Sequence, residues 1–209
     1  MFGLKSATPS RPNLTGDRVR VLLLAPEKAE LMQRFRIDNK AHLEPWEPAR
    51  TRAFYTAAFW RAQLAAQIRD FDAGNSCCLA LMNGEETRVL GVMNFTQIMR
   101  GTVQSCHLGY ALGEAFEGQG YMREGLELSL EYVFSELKLH RVMASYLPRN
   151  DRSGVLLKRL GFEIEGKARA YLRINGRWED HILTSRINPA FDPIRETDLS
   201  SKCFEPHHK

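Results

Sequence analysis

Two short stretches combine residue types and spacings that could do chemistry. The denser is EGQGYMREG, Glu117 to Gly125, where three glycines follow the apolar run HLGYALG and precede the helical pattern LELSLEYVFSEL. Glycine packed this closely serves a backbone that turns tightly or lies bare against something. A strand, a glycine-rich turn and a helix in that order can bind an anion. The first helix amides lack intrahelical acceptors, and the helix dipole favours negative charge there. Phosphate is the natural guest. No Gly-Lys-Ser/Thr follows, so this is not a Walker loop, and the spacing is not the dinucleotide fingerprint. Taken alone, Gly118-x-Gly120 favours a plain strand-to-helix turn over an anion cradle. The second stretch is HLEPWEP, where Pro45 and Pro48 hold Trp46 and Glu47 on a stiff loop. Such a Trp–Glu pair is either a functional presentation or a tryptophan plugging the edge of the core beside an exposed acid.

The elements that must position these residues follow from periodicity. RVRVLLLAP (18–26) reads as a strand, and helical segments follow over about 27–42 and 52–72, the second with Trp60, Leu64, Ile68 and Phe71 on one stripe. SCCLALM and RVLGVMNFTQI read as strands joined through Asn83-Gly84, a strong hairpin signal, and HLGYALG as a third. A helix over 122–137 carries Leu126, Leu130, Val133, Phe134 and Leu137 inward; HRVMASYL returns to strand. DRSGVLLKRLGF is a short helix stopped at Gly161, on which Ser153 shares the inward stripe with Leu156, Leu157 and Leu160. Two closing strands flank Asn175-Gly176. Helices interspersed in a mixed sheet predict an α/β (α+β) layer fold. The segment from Pro189, with its prolines and no period, reads as an extended tail on a domain spanning 1–188.

Composition narrows the class. The 209 residues, 44% hydrophobic and 26% charged, suffice for one sizeable core. No apolar run approaches the roughly 20 residues of a membrane span, and MFGLKSATPSR has no apolar signal core, which predicts a cytoplasmic chain with no membrane partner. Cys77, Cys78, Cys106 and Cys203 form no Cys-x-x-Cys pair and no disulfide framework, so they read as reduced thiols, and no metal is expected. Cys106 has no activating neighbour in sequence and is discounted as a nucleophile. The net charge of +4 is scattered. It admits an anionic ligand, while direct nucleic-acid binding is not expected. Only KARAYLRINGRW mixes basic and aromatic residues, and its alternation fits the solvated face of a hairpin better than an RNA stripe.

GYALGEAFEGQGYMREGLELSLEYVF, followed by LPRNDRSGVLLKRLGFEIEG, resembles the acyl-CoA-binding core of the GNAT N-acetyltransferase superfamily. Glu117, Gly120 and Met122 occupy the places of its loop signature. Asn150, Ser153 and Leu160-Gly161-Phe162 occupy those of its Asn-x-x-Ser and Leu-Gly-Phe elements. More narrowly, MFGLKS, HLEPWEP, GVMNFTQIMRG, HRVMASYLPRNDRSG and YLRINGRWEDHILT resemble the RimJ/RimL branch, the ribosomal-protein alanine N-acetyltransferases, on its RimJ side.

The resemblance implies a mixed, mostly antiparallel central sheet of about seven strands with helices on both faces, and acetyl-CoA as co-substrate. It implies a ribosomal protein's N-terminus as acceptor, direct transfer in a ternary complex, and allows ribosome association. A monomer and a homodimer are equally compatible. Amides of Gly118, Gln119, Gly120, Tyr121, Met122 and Arg123 would hold the pyrophosphate. The strand Tyr110, Ala111 and Leu112 would run along the pantetheine arm, an amide near Leu112 would polarise the thioester, and Asn150 would touch the arm. Relatives with a glutamate and a tyrosine as base and acid have Ser145 and Leu157 in those places here, so the acid duty implied is that of Ser153 near the CoA sulfur. Candidate bases are Glu47, Asp180 and His181, with Glu47 preferred; Trp46, Glu47 and Asp180 are the expected substrate contacts. Adjacent strand residues face opposite ways, so Asp180 and His181 cannot both enter one cleft. His107 reads as a packed core histidine. An α-amine, with a pKa of about 7.7 to 8.0, needs only weak base machinery, which suits an N-terminus better than a lysine. The competing readings are a small-amine acetyltransferase with an acidic pocket from Glu44, Glu47 and Glu114, and a CoA-binding ribosome-assembly or RNA-associated factor.

Overall fold

The computed structural model describes residues 9–191. The stretch from 192 onward, most of the expected tail, and the opening MFGLKS lie outside the described residues. In chain order the elements are β1 (Asn13–Thr15), β2 (Val19–Leu22), α1 (Ala29–Asp38), α2 (Lys40–Leu43), α3 (Ala57–Asp72), β3 (Cys77–Asn83), β4 (Val89–Met99), β5 (Ser105–Leu112), α4 (Tyr121–Ser135), β6 (Arg141–Tyr146), α5 (Asp151–Arg159), β7 (Glu163–Ile174) and β8 (Arg177–Ile187). The strands form one eight-stranded sheet in the order β1-β2-β3-β4-β5-β6-β8-β7. Every pair is antiparallel except β5–β6. The expected mixed, mostly antiparallel sheet is present, with the three-residue β1 as an additional edge strand.

Both faces of the sheet are covered, which is why β3 and β4 read as nearly continuous apolar runs. Along β3, Leu79 and Leu81 join one core with Met93, Phe95, Leu126, Leu130 and Val133 of β4 and α4. The alternate residues Ala80 and Met82 join a second core with Met32 and Phe35 of α1 and Trp60 and Leu64 of α3. Helix α3 starts where Thr56 accepts the Phe59 amide at 3.2 Å, so the expected 52–72 helix begins five residues later. Asn39 interrupts the other early helix and separates α1 from α2.

The two Asn-Gly pairs differ. Asn175 and Gly176 both take positive φ, 41° and 82°, and close a two-residue hairpin between Ile174 and Arg177. Asn83-Gly84 does not. Asn83 Oδ1 accepts the Thr87 and Arg88 amides at 3.0 and 2.7 Å, bracketing a longer turn in which Glu86 takes the left-handed position. The asparagine acts here through its side chain.

Candidate active site

The site begins where the only parallel strand pair among the described residues comes apart. β5 and β6 are in register from Ser105↔Arg141 to Leu108↔Ala144, yet β5 continues to Leu112 and β6 to Tyr146. The Gly113 amide donates to the Leu90 carbonyl at 2.8 Å, on the β4 side. Peptide groups alternate along an antiparallel strand, so the amides of Leu112 and Tyr110 face away from β4 into the gap beside β6. A cleft with free main-chain donors on one wall can take an extended arm as an added strand.

At the far end of β5 the glycine loop runs into α4. Gly118 and Gly120 have φ of 72° and 84°, a left-handed conformation that glycine adopts without strain. Gly120 caps α4 with no side-chain hydrogen bond, so the first-turn amides of Tyr121, Met122 and Arg123 have no acceptor within the helix. The loop is held from outside. Arg18 Nη1 donates to the Gln119 carbonyl at 2.9 Å, its Nε pairs with Glu124 at 3.0 Å, and its guanidinium lies 4.7 Å over the Tyr121 ring. Gln119 Nε2 donates to the Ala115 carbonyl at 2.8 Å. With the Gln119 carbonyl turned toward Arg18 and the amides left open, the loop fits a diphosphate. Glu117, the first signature residue, ties the loop to α5 through Arg152 and lies 3.4 Å from His42.

Helix α5 brings the hydroxyl. Asn150 is its N-cap, with Oδ1 accepting the Ser153 amide at 3.1 Å. The cap is therefore Asn150 and not Ser153, whose hydroxyl is free for another partner. That partner is Tyr110, whose Oη lies 2.7 Å from Ser153 Oγ. Burial pushes the Tyr110 phenol up to about 12, against the smaller opposing effect of its bond to Ser153. The sequence marks Tyr110 only as a backbone contact; nothing local reveals a hydroxyl partner 43 positions away.

The HLEPWEP loop lies on the α1/α3 face. Glu47 Oε1 accepts from Arg36 at 2.8 Å and Oε2 from Arg50 at 3.1 Å. Arg36 is only 5% exposed and sits within 5.4 Å of the Phe35, Phe54 and Trp60 rings. Burial lowers its pKa while Glu47 opposes the shift. The Glu47 carbonyl accepts the Asn175 amide at 3.0 Å, joining the loop to the β7–β8 turn. Arg149 joins the same parts: it pairs with Glu179 at 3.1 Å and stands 5.8 Å over Trp46. Arg36, Arg50, Phe54, Trp60 and Asn94 line a cavity of about 220 Å³ on this face. Asn94 and Val92, also in its wall, sit directly opposite Gly109 and Ala111 of β5.

Asp180 does not join this group. It pairs with Lys167 at 2.9 Å and accepts the Ala170 amide at 3.0 Å, where β7 bulges. Strand alternation puts Glu179 on the opposite face from Asp180, and it is Glu179 that reaches Arg149. His181 is buried, 3% exposed, with Nδ1 at 3.0 Å from the Glu179 carbonyl. His107 is half-buried and its pKa is lowered by burial. Burial pushes the Cys106 thiol up to about 12, which agrees with discounting it as a nucleophile.

The acetyltransferase (GNAT) domain family matches residues 18–163. The ribosomal protein uS5-alanine N-acetyltransferase of Escherichia coli (strain K12) is 38% identical over 195 residues, 93% of this chain and 100% of that protein. The crystal structure of the ribosomal-protein-S5-alanine acetyltransferase from Vibrio fischeri superposes with a TM-score of 0.83 at 34% identity, covering 87% of this chain and 100% of that one. Mycobacterium smegmatis RimJ in complex with CoA-disulfide superposes with a TM-score of 0.77 at 22% identity, covering 88% and 90%, a likeness of fold.

Proposed function

Since the chain belongs to the GNAT acetyltransferase family, whose donor is acetyl-CoA, we propose that it acetylates the N-terminal α-amine of a ribosomal protein, with alanine as the acetylated residue. The observation that carries this is the junction itself: a strand with outward amides at Tyr110 and Leu112, ending in a left-handed glycine loop and a helix whose first turn receives no side-chain cap. Likeness in sequence and fold to two ribosomal protein S5-alanine acetyltransferases supports the acceptor.

Acetyl-CoA supplies an acetyl group on a thiol leaving group. The chain's part is to hold and orient it. The amides of Gly118 to Arg123 grip the diphosphate, with Arg18 keeping the loop open. Tyr110 and Leu112 bond along the arm, and the Leu112 amide stabilises negative charge developing on the thioester oxygen. Asn150 spends only Oδ1 on its cap, which leaves Nδ2 to donate to the arm. Ser153 serves the sulfur.

The acceptor enters from the opposite, α1/α3 face. Trp46 and Glu47 form its wall, with Glu179 in the place expected of Asp180. Glu47 has both oxygens engaged by arginines, so its role is to hold that wall. An α-amine is partly neutral near pH 7.7 to 8.0 and loses its proton to water. The arginines Arg36 and Arg50 in the cavity also disfavour a polyamine, which needs unpaired acids.

The test is to incubate the purified protein and acetyl-CoA with peptides beginning Ala, Ser or Met, an uS5 N-terminal peptide, and spermidine. Released thiol and mass spectrometry locate the product. Acetylation of the α-amine of the Ala peptides is expected; turnover of spermidine alone would replace this reading with a small-amine transferase.

A further inference from the structure

The Tyr110 phenol crosses from β5 to the first turn of α5, with Oη 2.7 Å from Ser153 Oγ and 3.4 Å from the Ser153 carbonyl. Either hydroxyl could donate in the short contact, and the direction matters because serine has a single proton. If Ser153 donates to Tyr110, nothing remains for a group in the cleft. If Tyr110 donates, the serine proton is free to point elsewhere. The phenol keeps its proton through the neutral range, and the other titratable group facing it is Tyr146 of β6, itself a phenol.

Resting on the acetyl-transfer reading, we propose that Tyr110 is a positioning residue: its phenol donates to Ser153 Oγ and so commits the serine O–H to the departing CoA sulfur. The two hydroxyls form a chain of donors and not a source of protons. A phenol near 12 is a weaker acid than a thiol, whose ordinary pKa is about 8.5, so handing the proton over would run uphill by more than about three powers of ten. In the step an N–C bond forms and the C–S bond breaks. The acceptor nitrogen releases a proton to water, the thiolate later takes one from water, and the two hydroxyls end as they began. Polarisation along the chain strengthens the bond to sulfur.

The test uses CoA as the probe. The thiolate absorbs in the far ultraviolet more strongly than the thiol, so the thiol of CoA bound to the whole protein can be titrated by difference against the desulfo-CoA complex. In the unmodified protein the bound thiol should titrate about one unit below free CoA. Tyr110→Phe, which removes a single oxygen, should abolish most of that shift, Ser153→Ala all of it, and the double variant no more than Ser153→Ala. In turnover Tyr110→Phe should lower kcat about tenfold with KM for acetyl-CoA unchanged, a split that general loosening of the fold would not give. Calorimetry with desulfo-CoA reports binding apart from the thiol. If neither CoA nor desulfo-CoA binds, the acetyl-transfer reading fails and this inference with it. A tight complex whose thiol titrates as in free solution, or a Tyr110→Phe variant that keeps the full shift, overturns the inference alone.

Discussion

At the scale of the residue, Glu47 shows how a partner changes what an acid can do. In sequence it is a carboxylate between two prolines and a natural candidate base. In the structure it neutralises Arg36, a guanidinium 5% exposed and enclosed by aromatic rings. Breaking a buried pair from one side strands the other charge, so Glu47→Ala should destabilise the fold by about 3 kcal/mol, the low end for such pairs because Arg50 and residual solvent share the site. Glu47→Gln keeps an oxygen for Arg36 and should cost less. At equal folded fraction kcat should fall in neither variant by more than about threefold, with KM for the peptide rising, whereas loss of a general base costs about 100-fold or more. Thermal melts and steady-state kinetics separate the two. The left-handed glycine turn and the place of Ser153 in the first turn of α5 were legible because their signals are local, whereas the roles proposed for them came from the wider resemblance. The Arg36–Glu47 pair reaches across the end of α1, all of α2 and the proline loop, and the reach of Glu179 in place of Asp180 depends on register at the Ala168/Leu172 bulge, which no spacing rule locates.

Among elements, β5 bears the most. It pairs with β4 from end to end, through a bulge between Thr96 and Met99, and only partly with β6 on the other side, and its fit against β4 is close: a Cβ on Gly91 would lie 2.6 Å from the Ala111 carbonyl oxygen. That neighbour is main chain and cannot rotate aside. Gly91→Ala should push β5 outward, costing about 1–3 kcal/mol, and raise KM for acetyl-CoA because the Tyr110 and Leu112 amides move with the strand. A melt and a titration against acetyl-CoA check both. Element types were largely readable from period, including α4 and the Asn175-Gly176 hairpin. The boundaries were less so: β1 is three residues long and exists because β2 offers it an edge, and α1 stops at Asn39, where the next helix already begins. Neither signal survives in a single window of sequence.

For the whole molecule, the two faces of the sheet divide the labour. In the proposed reaction the donor side is held by α4 and α5, the acceptor side by α1, α3 and the HLEPWEP loop, and Arg149 with Asn175 ties that loop to the distant β7–β8 hairpin. Arg149→Ala should therefore speed amide hydrogen exchange by about threefold or more in residues 44–50 and 175–179 together, while β3 is unchanged, as a locally opening unit would. Exchange followed by mass spectrometry resolves this, and separate responses of the two segments would dissociate them. The parallel seam has a consequence of its own. The sheet's front and rear portions are stitched along four residue pairs, Ser105↔Arg141 to Leu108↔Ala144, and open beyond them. Whatever threads that gap acts as a fifth suture, so the folded chain should melt later and resist proteolysis longer with the gap filled than with it empty.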